Sequence, residues 1–209
     1  MAAVGAAERV RRGTVAGVRR KGSDTRAEIQ EVALELFTAN GYDATSLREI
    51  AERLGITKAA LYYHYDSKEA IIHGVFEQRV ADFDALIEWA EAQPRTPELP
   101  AEIFQRWFDL NTTSGLRMIR FAVANHNAMR DHAPDKGGAM QRIQRIVALI
   151  GGPDVTMPEQ MRITMAMLSI NIAVMAGQGL AADDDAIIAA AKEAATSLLR
   201  DLLPGYLHH

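Results

Sequence analysis

Hydrophobic positions along this chain recur at intervals of three and four residues, which is the period of an amphipathic α-helix. The first clear case follows a capping-box pattern, Thr-Arg-Ala-Glu, at residues 25–28. Its apolar positions are Ile29, Val32, Ala33, Leu36 and Phe37. No segment shows sustained strand alternation or a hairpin signal. The pattern therefore predicts an all-α protein.

Residues 45–65, TSLREIAERLGITKAALYYHY, place two short helical patterns on either side of one glycine. A second capping box begins at Ser46, and Thr57 can cap a third helix that runs to about Tyr65. Between them, Gly55 can adopt a positive φ without steric strain. A fourth, longer helix is predicted over residues 67–93. This order of elements is typical of a helix-turn-helix unit.

The proline-rich stretch 94–100 marks the clearest internal boundary. Beyond it the pattern predicts helices over about 98–113, 116–132, 136–150, 158–179 and 183–203. The chain then divides into a basic arm (1–23), a helix-turn-helix domain (24–70) and a C-terminal domain (71–209). The last two helices are apolar on more than one face, so they must cover more than their own core. They are the predicted homodimer interface.

The outer face of the third helix has no internal partner for Lys58, Ala59, Tyr62 and Tyr63. Such a helix fits the major groove of B-DNA, and phenol or imidazole groups at its far end, with His64 among them, can bind phosphates. The alternative is that the four rings at residues 62–65 are core aromatics of an ordinary bundle. We expect that of Tyr65, which follows Leu61 by four residues.

Composition narrows the chemistry. The 209 residues include no cysteine, which excludes disulfides, thiol catalysis and thiolate metal sites and fits a reducing compartment. The net charge is −4, yet residues 1–23 carry six basic side chains and one acidic one. That arm would follow a DNA backbone or enter a minor groove, or act as a solubilising tail. Its Arg-rich, acid-poor composition also has the character of an organellar transit peptide.

Residues 25–80 resemble the DNA-binding domain of the TetR family of transcriptional regulators. The matching segments are ALELFTANGYDATSL and REIAERLGITKAALYYHYDSKEAI. The resemblance implies a three-helix DNA-binding domain and a larger helical domain that binds a small-molecule effector and dimerises through its last two helices. It implies base-reading roles for Lys58, Ala59, Ala60 and Tyr62. The implied phosphate contacts are Thr45, Ser46, Thr57, Tyr63, His64 and Lys68.

Polar residues within apolar surroundings after residue 100 are candidates for the effector pocket. They and their apolar neighbours are Trp107, Asn111, Phe121, Asn125, His126, Met129, Asn171 and Met175. Each residue type at this spacing is equally typical of an ordinary core. His126 and His132 are six apart, off the spacing of a helical metal pair, and no cofactor or metal is expected.

No membrane span is expected, because the apolar stretch at residues 163–178 has 16 residues and includes polar ones. The N-terminus lacks the apolar segment of a secretory signal, so we expect a cytoplasmic protein. The sequence predicts a homodimeric, non-enzymatic repressor that binds pseudo-palindromic operator DNA and is released by a small apolar or amphipathic effector. The alternatives are a small helical enzyme with a vestigial DNA-binding bundle, and a DNA-binding protein that needs no ligand.

Overall fold

A computed structural model describes residues 22–113, 115–127, 136–177 and 182–203. All regular structure within these ranges is α-helical, which confirms the predicted fold class. The helices are α1 (Gly22–Asn40), α2 (Leu47–Leu54), α3 (Lys58–His64), α4 (Lys68–Ala92), α5 (Leu99–Thr112), α6 (Leu116–Ala124), α7 (Lys136–Gly151), α8 (Met157–Ala176) and α9 (Asp184–Leu199). The basic arm lies outside the described residues.

The helix-turn-helix unit forms as its local sequence predicts. Ser46 Oγ accepts a hydrogen bond from the Glu49 backbone N at 3.2 Å, and Glu49 Oε2 accepts one from the Ser46 backbone N at 2.7 Å. Gly55 ends α2 with φ of 66°, a conformation that costs a residue with a Cβ about 1–2 kcal/mol. Thr57 then caps α3 by accepting a hydrogen bond from the Ala60 backbone N at 3.1 Å. These caps fix where both helices begin.

The helix predicted over residues 116–132 is interrupted at residue 125, because α6 ends at Ala124; residues 126 and 127 are helical again, and residues 128–132 lie outside the described residues. Asn125 leaves the helical region, with φ of −123° and ψ of 52°. Its side chain bonds to α1 and the residues that follow α1: Oδ1 accepts from the Tyr42 backbone N at 3.0 Å, and Nδ2 donates to the Phe37 carbonyl oxygen at 3.0 Å. A long-range tertiary contact therefore overrides the helical pattern at this position.

Two clusters of buried side chains organise the molecule. The first, which we call the N-terminal cluster, joins α1, α2, α3 and the start of α4, and α6 inserts Met118 and Phe121 into it. The other buried members are Ile29, Ala33, Leu34, Phe37, Tyr42, Ile50, Ala51, Leu61, Tyr65, Ile71, Ile72 and Val75. The domain boundary predicted after residue 70 falls inside this cluster, because the first two turns of α4 pack there.

The second cluster, the C-terminal cluster, joins the distal half of α4 with α5, α7, α8 and α9. Helix α9 buries Ile187, Ala191, Ala195 and Leu199, spaced by four, on a single face. The sequence predicted two adjoining apolar faces, and the buried face takes Ile187 and Ala191 from one of them and Ala195 and Leu199 from the other. Among the described residues, no helix is both long and apolar enough to cross a membrane.

Candidate nucleic-acid interface

Helix α3 is held by its inner face. Leu61 is fully buried, and Tyr65, at the C-terminal end of α3, lies in the N-terminal cluster. The Tyr65 hydroxyl accepts a hydrogen bond from Gln30 Nε2 at 2.7 Å. Helix α4 can come close because Gly74 has no side chain: a Cβ there would lie 2.9 Å from the Tyr65 hydroxyl. Tyr65 is thus a core residue, as predicted.

The outer face of α3 is free of internal contacts with the core. Lys58, Ala59 and Ala60 are exposed, and the exposed fraction is 44% for Tyr62 and 87% for Tyr63. The Lys58 ammonium lies 5.3 Å from the centre of the Tyr62 ring. The alternative in which all four rings are core aromatics is therefore wrong for Tyr62 and Tyr63. Lysine and two phenols share one accessible surface.

Thr45 does not lie on that surface. Its side chain is buried, and its hydroxyl donates to the Gly41 carbonyl oxygen at 2.9 Å, with the Leu36 carbonyl oxygen at 3.3 Å. This hydroxyl closes the turn after α1, and the implied phosphate contact of Thr45 stays a prediction. Ser46 and Thr57 remain exposed, although the hydroxyl of each also caps its own helix.

Lys68 has a structural partner as well as a place on the surface. Its ammonium donates to the Tyr42 carbonyl oxygen at 2.7 Å and lies 4.5 Å from the centre of the Tyr42 ring. The Tyr42 hydroxyl donates to Glu69 at 2.7 Å, and burial, followed by this bond, raises the pKa of Tyr42 well above its usual range. Lys68 thus links the start of α4 to the turn before α2.

These elements meet around an open depression of 420 Å³ between the starts of α2 and α4 and the outer side of α3. Its lining residues are Asp43, Thr45, Ser46, Leu47, Arg48, Lys58, Tyr62, Lys68 and Glu69. Ser46, Lys58 and Lys68 are brought together here as the sequence predicted. Hydrogen bonds from the Ser46 backbone and hydroxyl hold the pKa of Glu49, at the rim, below its ordinary value.

Arg48 is a cation of this depression that sequence reasoning missed. It lies in the first turn of α2, exposed, and its Nε is 2.7 Å from Glu52 Oε1, one turn on. An i, i+4 ion pair of this kind is typical of a solvated helix face, so the sequence pattern alone did not single out Arg48. The available signal was its place two residues after the Ser46 cap, beside the predicted phosphate contacts.

A separate cavity of 180 Å³ lies among α4, α5, α6 and α7, and we call it the α4–α7 cavity. Most of its surface is apolar. Its lining residues are Phe76, Arg79, Val80, Phe83, Asn111, Gly115, Met118, Ile119, Ala139 and Arg142. Among the described residues, no group of three or more His, Asp or Glu side chains is arranged to hold a metal ion.

Of the predicted effector residues that the structure describes, Asn111 alone lines this cavity. Phe121 packs in the N-terminal cluster, and Asn125 bonds to Tyr42 of the same cluster. Trp107 is buried, and its indole N–H donates to the Met167 carbonyl oxygen at 3.3 Å. His126 and Met175 are exposed, and Asn171 is half-buried on α8 away from the cavity. Met129 lies outside the described residues. These placements depend on helix packing, which periodicity does not specify.

Helix α8 exposes a row of large apolar side chains, which we call the α8 stripe. Its members are Met157, Met161, Met165, Ile172 and Met175, each 48% exposed or more. They recur mostly at intervals of three and four residues, on the face opposite the one that packs into the C-terminal cluster. Contiguous exposed apolar area of this kind is typical of a protein–protein interface.

The helix-turn-helix unit matches a known family model. Residues 29–75 match the model described as bacterial regulatory proteins, tetR family. This segment spans α1 from Ile29, all of α2 and α3, and the first turns of α4. The match therefore covers the elements that carry the exposed face of α3.

Curated relatives share the same region. The HTH-type transcriptional regulator AcrR of Shigella flexneri is 32% identical over 80 residues, which cover 38% of this chain and 37% of that protein. The biofilm operon icaADBC HTH-type negative transcriptional regulator IcaR of Staphylococcus aureus is 47% identical over 53 residues, covering 25% of this chain and 26% of that protein. The chain thus spans only about a third and a quarter of their lengths.

Two solved structures have the same fold over most of the chain. One, from a study of the control of antibiotic production by a bacterial hormone, has a TM-score of 0.54 at 22% identity and covers 86% of this chain and 98% of its own. The other, a TetR-family regulator from Mesorhizobium loti, has a TM-score of 0.52 at 16% identity, with coverage of 87% and 98%. The helix-turn-helix unit at residues 29–75 is therefore similar to that of bacterial regulatory proteins of the tetR family.

Proposed function

We propose that this protein is a ligand-responsive transcriptional repressor that binds pseudo-palindromic operator DNA as a homodimer. The observation that carries the proposal is the outer face of α3, where Lys58, Tyr62 and Tyr63 are exposed around an inner face locked in the N-terminal cluster. Relatives named as transcriptional regulators, one of them a negative regulator, support this function. The protein acts in the cytoplasm and without catalysis.

The proposed DNA contacts follow the surface of the helix-turn-helix unit. Lys58 reads a guanine edge, and the methyl groups of Ala59 and Ala60 meet thymine methyls. Tyr62 reads bases at the end of the same face. The flanking phosphates are held by Tyr63, His64 and Lys68 and by the backbone at the starts of α2 and α3, where Ser46 and Thr57 stand, with Arg48 added.

The proposed dimer forms through the α8 stripe and the outer face of α9. The outer face of α9 carries small residues, Ala186, Ala190 and Ala194, which let a second helix approach closely. A twofold arrangement would place two copies of α3 toward half-sites about 34–36 Å apart or at multiples of that distance. Charge argues for the same contact, since the α8 stripe contains no ionised side chain.

The proposed coupling runs through α6 as well as through α4. Gly115 and Ile119 line the α4–α7 cavity, whereas Phe121, further along α6, packs 5.8 Å from Phe37, ring centre to ring centre. Asn125 then ties the end of α6 to α1. A ligand that displaces α6 would therefore shift the N-terminal cluster, and with it the spacing of the two α3 helices in a dimer.

The test of the proposed function is selection of duplexes from a random library by the full chain, followed by binding measurements on the enriched sequences. We expect an inverted repeat, bound by two chains, with an affinity that falls steeply as salt rises. Enrichment of no sequence, or equal affinity for scrambled duplexes, would overturn the proposal. An enriched site without internal symmetry would overturn the dimeric part of it.

The Asn125→Ala variant tests the coupling. It removes two hydrogen bonds that tie the end of α6 to Phe37 of α1 and to Tyr42 in the turn after it, so we expect ligand-induced release from DNA to weaken several-fold while ligand binding itself is retained. Gln105→Ala is the control, because Gln105 bonds only to Asp109 on the exposed side of α5. Unchanged release by Asn125→Ala would remove α6 from the pathway.

A further inference from the structure

The end of α5 is held from α4 by one largely buried cation. Arg79 has only 11% of its side chain exposed. Its Nη1 donates to the Leu110 carbonyl oxygen at 3.0 Å, and its Nη2 donates to Asn111 Oδ1 at 3.1 Å. Both acceptors belong to the last turn of α5, whose carbonyl oxygens find no partner within their own helix. Arg79 therefore caps the C-terminal end of α5 from a neighbouring helix.

The two acceptors are tied to further groups. Asn111 is buried, and its Nδ2 donates to the Trp107 carbonyl oxygen at 2.7 Å. The Leu110 carbonyl oxygen also accepts a hydrogen bond from the backbone N of Gly115 at 2.9 Å. Gly115 directly precedes α6. One guanidinium thus joins α4 to the end of α5 and, through the Leu110 carbonyl, to the start of α6.

Arg79 is also fixed by its own helix. Its guanidinium carbon lies 4.6 Å from the centre of the Phe83 ring, one turn further along α4. Oδ2 of Asp82 is 3.7 Å from its Nη1. Burial lowers the pKa of Arg79 despite that carboxylate. A buried cation that loses its hydrogen-bond acceptors is costly, so Arg79 and the end of α5 hold each other in one arrangement.

Gly115 permits the close approach of α6 to this network. A Cβ at Gly115 would lie 2.8 Å from the Leu110 carbonyl oxygen, 2.9 Å from Asn111 Cα and 3.1 Å from the Arg79 guanidinium carbon. The first two are backbone atoms, which cannot move aside unless the end of α5 moves. The packing of this junction therefore depends on two residues, a cation on α4 and a glycine before α6.

The start of α6 controls contacts further along the same helix. Met118 and Phe121 of α6 are buried in the N-terminal cluster. Phe121 is six residues beyond Gly115, about 9 Å along a helix axis. Arg79 and Gly115 themselves line the α4–α7 cavity. A displacement of the junction would therefore be carried along α6 into the domain that presents α3.

We propose that Arg79 is the positioning residue of the coupling, which holds the start of α6 in the arrangement that binds DNA. This inference deepens the proposed function and rests on it for the effect on DNA. Loss of the two hydrogen bonds from Arg79 should then imitate the released state without any ligand, because the start of α6 is no longer held.

The first test measures hydrogen–deuterium exchange by mass spectrometry on the full chain without DNA. Arg79→Met removes both hydrogen bonds, so the amides of α6 should exchange roughly tenfold faster or more, while those of α8 and α9 stay unchanged. Arg79→Lys should be intermediate, because one ammonium keeps the charge but not the planar fork. Faster exchange over all helices alike would overturn the proposal, as would unchanged exchange of α6.

Matched variants show whether the effect belongs to the junction. Arg145→Met is the control, because Arg145 also joins a helix to α4, through Glu91, but that helix is α7. It should leave the exchange of α6 unchanged. Gly115→Ala disturbs the junction with Arg79 intact, and it keeps the proposal testable should Arg79→Met fail to fold. It should reproduce the faster exchange of α6, and its failure to do so would overturn the proposal.

The second test asks whether the junction acts on DNA. Arg79→Met and Gly115→Ala should each weaken binding to the selected operator by about tenfold, with the dimer dissociation constant unchanged, because neither touches the α8 stripe. Fluorescence anisotropy and sedimentation equilibrium provide the two measurements. A purely structural role would weaken both kinds of binding together. Full operator affinity in both variants would overturn the positioning role.

Failure of this inference is distinguishable from failure of the proposed function. If the wild-type chain selects an operator and the two variants bind it equally well, the role of Arg79 falls and the regulator stands. If no duplex is selected by the wild type, the regulator falls, and the exchange of α6 still decides whether Arg79 holds this helix.

Discussion

Two helical faces in this molecule are both exposed but differ in the chemistry of their side chains. The outer face of α3 presents a lysine and two phenols, and hydrogen-bonded caps fix the start of its helix. The outer face of α8 presents methionines and an isoleucine, with no charged side chain among them. Neither face is covered by the core of the part of the chain that the structure describes.

Exposure alone therefore says little about the kind of partner that each face binds. The chemistry of the exposed side chains is more informative. Phenols and an ammonium are well suited to phosphates and base edges and keep their hydration until DNA arrives. Methionine side chains gain by losing water and adapt their shape to a facing surface. We expect the two faces to respond in opposite ways to the same kind of substitution.

The largest effect is expected when the apolar face receives a charge. Met165→Glu would bury an unpaired carboxylate in the proposed dimer contact, and the dimer dissociation constant should rise by about a hundredfold or more. Sedimentation equilibrium measures it. Met140→Glu is the matched control, because Met140 is similarly exposed but lies on α7 outside the α8 stripe. Equal behaviour of the two variants would show that the stripe faces solvent in the native state.

Removal of a charge from the polar face should have the next largest effect. Lys58→Ala should weaken binding to the selected operator by about 1–3 kcal/mol and relax preference at one base pair per half-site, with dimerisation unchanged. Fluorescence anisotropy on operator and scrambled duplexes provides the measurement. Arg95→Ala, which removes an exposed cation between α4 and α5, should leave affinity intact. Loss of affinity in both would indicate a general effect of charge.

A smaller effect is expected from the turn that presents α3. Gly55→Ala places a Cβ at φ of 66° without a clash, since no atom lies within 4 Å of it. The cost is thus conformational, about 1 kcal/mol, and the melting temperature should fall by about 2–4 °C. Gly55→Asn should recover part of the loss, because asparagine tolerates this region better. Identical melting of the alanine and asparagine variants would contradict this account.

The smallest effect concerns the capping boxes of α2 and α8. Hydrogen bonds from Ser46 hold the pKa of Glu49 below its ordinary value, and those from Thr156 do the same for Glu159. When folding lowers the pKa of a carboxyl group, the ionised carboxylate stabilises the folded protein at pH values above the ordinary pKa of that group. This contribution is lost as the pH falls through the lowered pKa of the folded state. Glu49→Gln and Glu159→Gln should therefore each lose less stability than the wild type between about pH 5 and 3.

Circular-dichroism melts across that pH range compare the three proteins. The double variant should show the smallest loss of stability as the pH falls. The effects of the two substitutions should add, because the two capping boxes are on helices that pack into different clusters. Profiles parallel to that of the wild type would show that neither carboxylate is selectively stabilised in the folded state.

The sequence was most informative where structure is local. Ser46, Gly55 and Thr57 act within three or four residues of themselves, and their roles were predicted correctly. The internal bonds of Thr45 to the turn after α1, and of Asn125 across 83 residues to Tyr42, were not predicted, because they depend on tertiary packing. The α4–α7 cavity was missed for the same reason: four helices contribute to it, and of the candidates that the structure describes only Asn111 lines it.

Gly74 has no side chain at the point where α4 crosses the phenol of Tyr65, at the C-terminal end of α3. Rotation of α4 about its own axis would bring a neighbouring side chain against that hydroxyl, so the two helices can tilt together but cannot roll past each other. In the proposed coupling, a displacement of α4 would therefore carry α3 with it through this contact.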